Sequence, residues 1–408
     1  NMFLVSALVA GTLMVIVLPY NKVGFDEEAH FRSAYKMMLW SHVSSADAIE
    51  ELTEVTMANW PFNLDQSIEE RDMLEEYFAV HGDYTSGSNV AYDVPTKISS
   101  VAAPSYVFMA VGIKFAKLLH LPFGMVYMMG RLFNMWMYVI LIYFAIKKVP
   151  VGKRIMAVVA LMPTAMFQAA VYSYDSVVTG FIYLGLAYLL AEILDKEKKL
   201  TIKNGIIILG ALSFGCLPKA VYVPLVALGF MIAKDKFKNN KERIIFRIAN
   251  IVCIFGLLFT FVLPMLVATD AMGDTRGGAV SVSGQISTIV HHPLGYLSVW
   301  LENVGNSFTS YMFGEGLFGT LGHLSVSTCT PYIAILIVFV ILADFTDAKI
   351  PTLSIKQKGI ILGILLLTSA FVWGSMYLAF NEVAAVFIGG VQGRYFIPLM
   401  FLVYLLFH

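Results

Sequence analysis

Long uncharged stretches alternate with short polar ones along this chain, and the lengths of the apolar runs predict helices. The first run, Met2–Pro19, carries no charged residue and is about long enough to cross a bilayer. Further runs fall at Ile98–Leu121, Met125–Ile146, Met156–Tyr172, Ser176–Leu194, Asn204–Leu217, Ala220–Ala233, Ile244–Ala268, Pro331–Ala343, Gly359–Ala379 and Val391–Phe407. Between several of them stand basic segments: residues 146–154, 195–203, 234–243 and 349–358. The positive-inside rule predicts these to be cytoplasmic. Keeping that rule requires Ile98–Leu121 to lie at the outer interface, where its interior Pro104, Lys114, Lys117 and His120 are better accommodated. About ten crossings remain, with both ends cytoplasmic.

The pattern predicts an all-α polytopic membrane protein. Composition agrees: 58% of the 408 residues are hydrophobic and 14% charged, against about 25% charged in soluble domains. The first run is too long for a removed signal and lacks a small-residue cleavage site, which predicts a retained helix. The chain starts at Asn1 and closes inside an apolar run, as expected if the ends are trimmed. Three cysteines, Cys216, Cys253 and Cys329, form no CxxC pair and read as packing residues. No repeat, dinucleotide-binding or Walker glycine motif is present, and no nucleic-acid partner is expected.

Two large segments fall on the outer side of a single transmembrane domain. Residues 21–124, the acidic first loop, contain helix-like patches, expected to be interfacial. Residues 269–330 are rich in Gly, Ser and Thr, with a helix predicted around Ile286–Asn303.

The candidate chemistry lies where this frame is violated. Asp26, Glu27 and Glu28 emerge directly after the first helix, followed by His30 and Arg32. Carboxylates beside hydrocarbon are costly to keep ionised without a partner or a task. On the same outer edge stand Arg131, Lys219, Arg276 and Arg394, cations that the positive-inside rule would place elsewhere. Tyr174, Asp175, Tyr222, Gln285, Gln392 and Tyr395 share that edge. Arg and Lys together suit a phosphate, Arg as a bidentate fork and Lys as a point charge. A phosphate at the outer membrane edge suggests a lipid-linked group. Structural uses compete: Arg131 or Arg394 in a buried ion pair with Asp175 or Glu382, Lys219 snorkelling beside Pro218, Asp175 as a helix N-cap.

DEEAHF after the first helix, GRLFN, QAAVYSYDS, LPKAVYVPL, DTRGG and GVQGRYFIPL occur in an order that resembles the bacterial membrane proteins of domain of unknown function 2142. That family is similar to the C-type (GT-C) glycosyltransferases, polytopic enzymes that use polyprenyl-phosphate sugars. The resemblance implies a GT-C-like fold in a bacterial plasma membrane, with the active site facing outward. The implied reaction moves a sugar from a polyprenyl-phosphate donor to a glycan acceptor of the cell envelope.

Transfer from a polyprenyl phosphate needs a base for the acceptor hydroxyl and cations for the leaving phosphate, not a second catalytic carboxylate. On this reading Asp26 is the base and Glu27 its support or a metal contact. Arg131, Lys219, Tyr222 and Arg394 hold the donor phosphate. His30, Tyr174, Asp175, Arg276, Gln285, Gln392 and Tyr395 contact substrate, with the 269–330 loop covering the site. A single in-line displacement inverts the anomeric carbon. A divalent cation, Mg or Mn, is compatible with Asp26, Glu27 and Asp175 converging, but no spacing is diagnostic. A flippase for the same lipid, or a non-catalytic envelope-assembly partner, is the alternative.

Overall fold

The computed structural model describes residues 2–18, 24, 26–39, 103–121, 123–195, 197–267, 280–314 and 352–407, with isolated positions between 317 and 342. The helices are α1 (Met2–Val17), α2 (Glu27–Leu39), α3 (Val107–Leu118), α4 (Phe123–Lys148), α5 (Lys153–Ala160), α6 (Pro163–Ala170), α7 (Asp175–Leu194) and α8 (Ile202–Cys216). They continue as α9 (Asn240–Val267), α10 (Val282–His291), α11 (Pro293–Phe313), α12 (Ile355–Phe380) and α13 (Ile397–Leu405). A two-residue antiparallel pairing joins Thr320–Leu321 (β1) to Val326–Ser327 (β2).

Among the described residues, four helices are long and apolar enough to cross a membrane: Met125–Lys148, Asp175–Leu194, Asn240–Thr260 and Ile355–Phe380. Met2–Val17, Ile202–Cys216, Ala220–Met231 and Gly393–Leu405 are apolar but shorter. Several of the expected runs are not single long α-helices among the described residues. The run Met156–Tyr172 is two eight-residue helices, α5 and α6, broken at Pro163, which starts α6 because proline tolerates only the first helical turn. Ala220–Ala233 is not an α-helix either. Ala220–Met231 winds as a 3-10 segment with Pro224 inside, whose missing N–H and ring both oppose an α-helical interior. In the run expected over Val391–Phe407, a 3-10 turn, Gly393–Phe396, precedes the nine-residue α13. The run Ile98–Leu121 contains α3, whose 12 residues extend about 18 Å, short of the roughly 30 Å hydrocarbon core. Pro331–Ala343 lies largely outside the described residues.

The chain forms two compact units. The first comprises Asn1–Tyr143, Ala160–Gly180 and Thr320–Thr328. In it α1 packs on α6, and α2 packs on α3 and on a 3-10 turn, Ala103–Tyr106. Phe31, Ala34, Tyr35, Tyr106, Met109, Ile113, Tyr127 and Tyr172 form its aromatic-rich core. Two glycines permit the close approaches. A Cβ at Gly112 would sit 2.4 Å from the Met129 carbonyl oxygen, and one at Gly130 would sit 2.0 Å from the Tyr172 hydroxyl.

The second unit comprises Phe144–Val159, Phe181–Gly319 and Cys329–His408. Its centre is the 3-10 segment Ala220–Met231, against which α8, α9 and α12 pack. Polar ties fix the segment and its neighbours. Arg247 on α9 donates to the Gly229 and Ile232 carbonyls at 3.4 and 2.7 Å. Lys236 and Glu192 form a buried 3.0 Å ion pair, to which Asn204 adds a 2.6 Å bond. The Tyr183 hydroxyl donates to the Ile397 carbonyl at 2.7 Å, pinning the start of α13.

Candidate functional site

Asp26 lies at the start of α2 with φ of 53°, a left-handed conformation that Asp and Asn tolerate better than other side-chain-bearing residues. Its carbonyl accepts from the His30 N–H at 3.0 Å, the first turn of the helix. The side chain is exposed, while the next residue, Glu27, is buried. Glu27 Oε2 accepts from the Gly24 N–H at 3.0 Å. Glu27 Oε1 accepts from Arg131 Nε at 2.8 Å and from the Tyr172 N–H at 3.0 Å. Arg131 Nη2 lies 2.7 Å from the same oxygen, and Nη1 donates to the Leu18 carbonyl at 3.2 Å. Both charged side chains are about 1% exposed. The guanidinium also stands 5.0 Å from the Tyr127 ring centre.

This pair ties the end of α1, the turn before α2, helix α4 and the chain before α7 into one braced corner. Arg131 is thus in a buried ion pair, with Glu27 rather than with Asp175 or Glu382. Its Nε and Nη1 hydrogen-bond inside the protein, and Nη2 rests in the ion pair with Glu27. Glu27, similarly committed, is a support rather than a metal contact. Among the described residues no group of three His, Cys, Asp or Glu side chains could hold a metal ion. The set Asp26, Glu27 and Asp175 does not fit a divalent cation here, and no step is routed through one.

Beside Asp26 stands an aromatic group. His30 Nδ1 is 2.8 Å from the Tyr106 hydroxyl, and its ring meets Tyr174 edge-on at 4.7 Å. Tyr106 and Tyr174 are 6.1 Å apart. Burial pushes the Tyr106 hydroxyl well above the usual tyrosine value; the Asp175 and Asp26 charges add to this, and a hydrogen bond from Ser33 opposes it. Asp175 opens α7, with its N–H donating to Ser173 Oγ at 3.1 Å. Asn134 braces this YSYDS turn, its amide donating to the carbonyls of Ala169, Val171 and Ser173 and its oxygen accepting from Ser176 at 2.7 Å. Tyr106 and Asn134 were not singled out by the sequence. Asn134 had a signal in its place one turn after Arg131 in GRLFN; Tyr106 had none.

The second unit gathers its own group. Pro218 interrupts the chain after α8 and leaves Lys219 in extended backbone, φ −142°. Lys219 Nζ sits 4.1 Å from the centre of the Tyr395 ring, and the Arg394 guanidinium 5.3 Å from it. Tyr222, buried, donates to the Tyr395 carbonyl at 2.6 Å, so it holds the ring's backbone. Lys219, Arg394 and Tyr395 are themselves only half-buried. Gln392 precedes this turn, its carbonyl accepting from the Tyr395 N–H at 3.1 Å. Its side-chain oxygen is buried without a hydrogen-bond partner among the described residues.

Gln285 stands apart from that group. Fully buried, it donates to the Tyr377 and Glu382 carbonyls and accepts from the Ala384 N–H at 2.8 Å. It splints the loop after α12. Arg276 lies outside the described residues.

A family model described as "Predicted membrane protein (DUF2142)" matches residues 8–403, nearly the whole chain. No curated protein and no solved structure matches it. The chain belongs to this family of predicted membrane proteins.

Proposed function

From membership of that membrane family, we propose that the chain is an inverting glycosyltransferase of GT-C-like architecture. It moves a sugar from a polyprenyl-phosphate donor to an envelope glycan on the extracytoplasmic side of a bacterial plasma membrane. The observation that carries this reading is Asp26, an exposed carboxylate in left-handed backbone at the head of a turn braced by a buried ion pair. Backbone strain held by an over-determined surrounding is a signature of functional positions.

In the reaction, Asp26 takes the proton of the acceptor hydroxyl. The freed oxygen attacks the anomeric carbon, whose bond to the phosphate oxygen breaks, and polyprenyl phosphate departs with inversion. A phosphate leaving group needs no general acid; it needs positive charge. Within the second unit, Lys219 and Arg394 are the cations suited to a phosphate, both against the Tyr395 ring, whose backbone Tyr222 fixes. His30, Tyr106 and Tyr174 offer aromatic edges and hydrogen-bond groups suited to a sugar. About ten crossings, with both ends cytoplasmic, remain the topology we propose.

A flippase for the same lipid is favoured by one observation. The interrupted helices at Pro163 and at Ala220–Met231 are of the kind transporters use at substrate sites. Sugar transfer from a synthetic polyprenyl-phosphate hexose by the purified protein separates the two. The transferase reading expects turnover in the wild type and a loss of about 100-fold or more in Asp26→Asn, with donor binding retained. Lipid movement between vesicle leaflets without sugar transfer would favour the flippase. Equal turnover in both proteins would remove Asp26 as the base.

A further inference from the structure

Helices α10 and α11 lie outside the group assigned to chemistry, yet they carry a patterned surface. Tyr296 on α11 meets Tyr377 of α12 at 4.9 Å between ring centres, and Tyr311 meets Trp373 at 6.3 Å. Tyr296 and Tyr311 are separated by about 22 Å along α11, whereas Trp373 and Tyr377 are one turn, about 6 Å, apart on α12. Contacts that far apart on one helix and that close on the other are those of an α11 set at an angle to α12. The contacted turns lie within about 10 Å of the Phe380 end of α12.

The outer surface of α11 is divided lengthwise. At 3.6 residues per turn, Leu294, Leu297, Leu301 and Phe308 share one stripe, exposed by 79%, 46%, 55% and 41%. Ser298, Glu302, Asn306 and Thr309 form the adjacent stripe, also exposed. The inward side is fixed by Asn303, whose oxygen accepts from the Ile388 N–H at 3.0 Å. The loop pinned by Gln285 and Asn303 presents Val386 and Phe387, exposed by 82% and 65%.

We infer that α11, with the loop tip at Val386 and Phe387, is seated in the lipid interface of the leaflet at the Phe380 end of α12. The inference rests on the proposed crossing of the bilayer by α12. A helix set at an angle to the end of a membrane-spanning one is placed to lie along the membrane surface. One with apolar and polar stripes side by side matches the boundary between acyl chains and headgroups. A glycan would have little use for isolated leucines. The consequence is that this part of the 269–330 loop is anchored in lipid, not suspended in water.

The test places nitroxide labels, one at a time, at Leu301, Glu302, Phe387 and Leu366 through cysteine. The host is the full chain with Cys216, Cys253 and Cys329 replaced by alanine, in phosphatidylethanolamine–phosphatidylglycerol vesicles. Accessibility to oxygen and to a water-soluble nickel chelate reads depth. The expected result is Leu301 and Phe387 within about 10 Å below the phosphates, Glu302 in water and Leu366, halfway along α12, deeper than all. Equal depth for Leu301 and Glu302 would overturn the seat, as would nickel access at Leu301 and Phe387 with Leu366 still deep. Spin–spin broadening at Leu301 would give the face to a second copy and overturn it too. Leu366 in water would remove both the crossing and the inference built on it.

Discussion

Two charged groups of this protein invite the same first description and mean different things. In the first unit the Arg131 guanidinium is about 1% exposed and both of its working edges meet Glu27 or a carbonyl. In the second, Lys219 and Arg394 are half-exposed and rest on the ring of Tyr395. A buried charge with its partner in place has little left to offer a ligand. It holds geometry, at a desolvation cost that the pairing offsets. A half-exposed cation on an aromatic face is held by the ring's quadrupole at a smaller desolvation cost. The comparison teaches that cations flagged alike by the sequence differ in burial, which sets how much desolvation each must offset.

The largest effect that would sharpen this contrast comes from breaking the buried pair. Arg131→Ala leaves Glu27 as an uncompensated buried charge and is expected to cost about 3–5 kcal/mol, read as a lowered unfolding temperature in detergent. Glu27→Leu combined with Arg131→Met should recover most of that loss. A double variant no more stable than Arg131→Ala alone would break the view of the pair as scaffold.

Next in size is Lys219→Ala. Its thermal stability should change by about 1 kcal/mol or less, the usual worth of an exposed cation on a ring, while donor affinity falls roughly tenfold, or about 1.4 kcal/mol. Titration with a polyprenyl-phosphate analogue reads the second quantity. A large drop in stability with unchanged affinity would make Lys219 another scaffold cation and dissolve the comparison.

Smaller still is Tyr222→Phe, which removes the 2.6 Å bond to the Tyr395 carbonyl. About 1 kcal/mol of stability is expected to be lost, within the range for one hydrogen bond plus an unpaired buried acceptor. Affinity for the analogue should fall through a displaced Tyr395.

The smallest effect is read against pH. Burial raises the Tyr106 hydroxyl above its ordinary value, so the folded protein favours its neutral form. That contribution is complete below about pH 10, the unfolded value, and is lost as pH rises from there toward the folded one. Tyr106→Phe should flatten part of the decline in unfolding temperature between about pH 9.5 and 11. An unchanged decline would show that the Tyr106 hydroxyl ionises in the folded protein over the same range as in the unfolded chain.

Much of this was legible in the sequence, and the omissions have physical reasons. Apolar run length located the helices at Met125–Lys148, Asp175–Leu194 and Ile355–Phe380, because hydrocarbon length is what such runs measure. It could not locate the break at Pro163 or the 3-10 winding of Ala220–Met231, since hydropathy averages over backbone hydrogen bonding. Arg131 was legible as an anomaly, but its partner is 104 residues away, and no periodicity carries a pairing over that distance. Asp175 and Glu382 were equally good guesses. Arg394 beside Tyr395 could be read from adjacency; Lys219 over the same ring could not. Gln285 was legible as a polar residue of the 269–330 segment, but not its three bonds, which all serve the backbone of distant residues.

The left-handed backbone at Asp26 has a bearing on how the position should be mutated. Alanine there would load the corner with about 1 kcal/mol or more of conformational strain in addition to removing a carboxylate. A β-branched residue would load it further. Asparagine is the substitution whose backbone preference matches that of aspartate in this region while its side chain cannot take a proton. An isosteric swap therefore reports on chemistry alone, and glycine, at ease with the same φ, reports on whether the corner survives without any side chain.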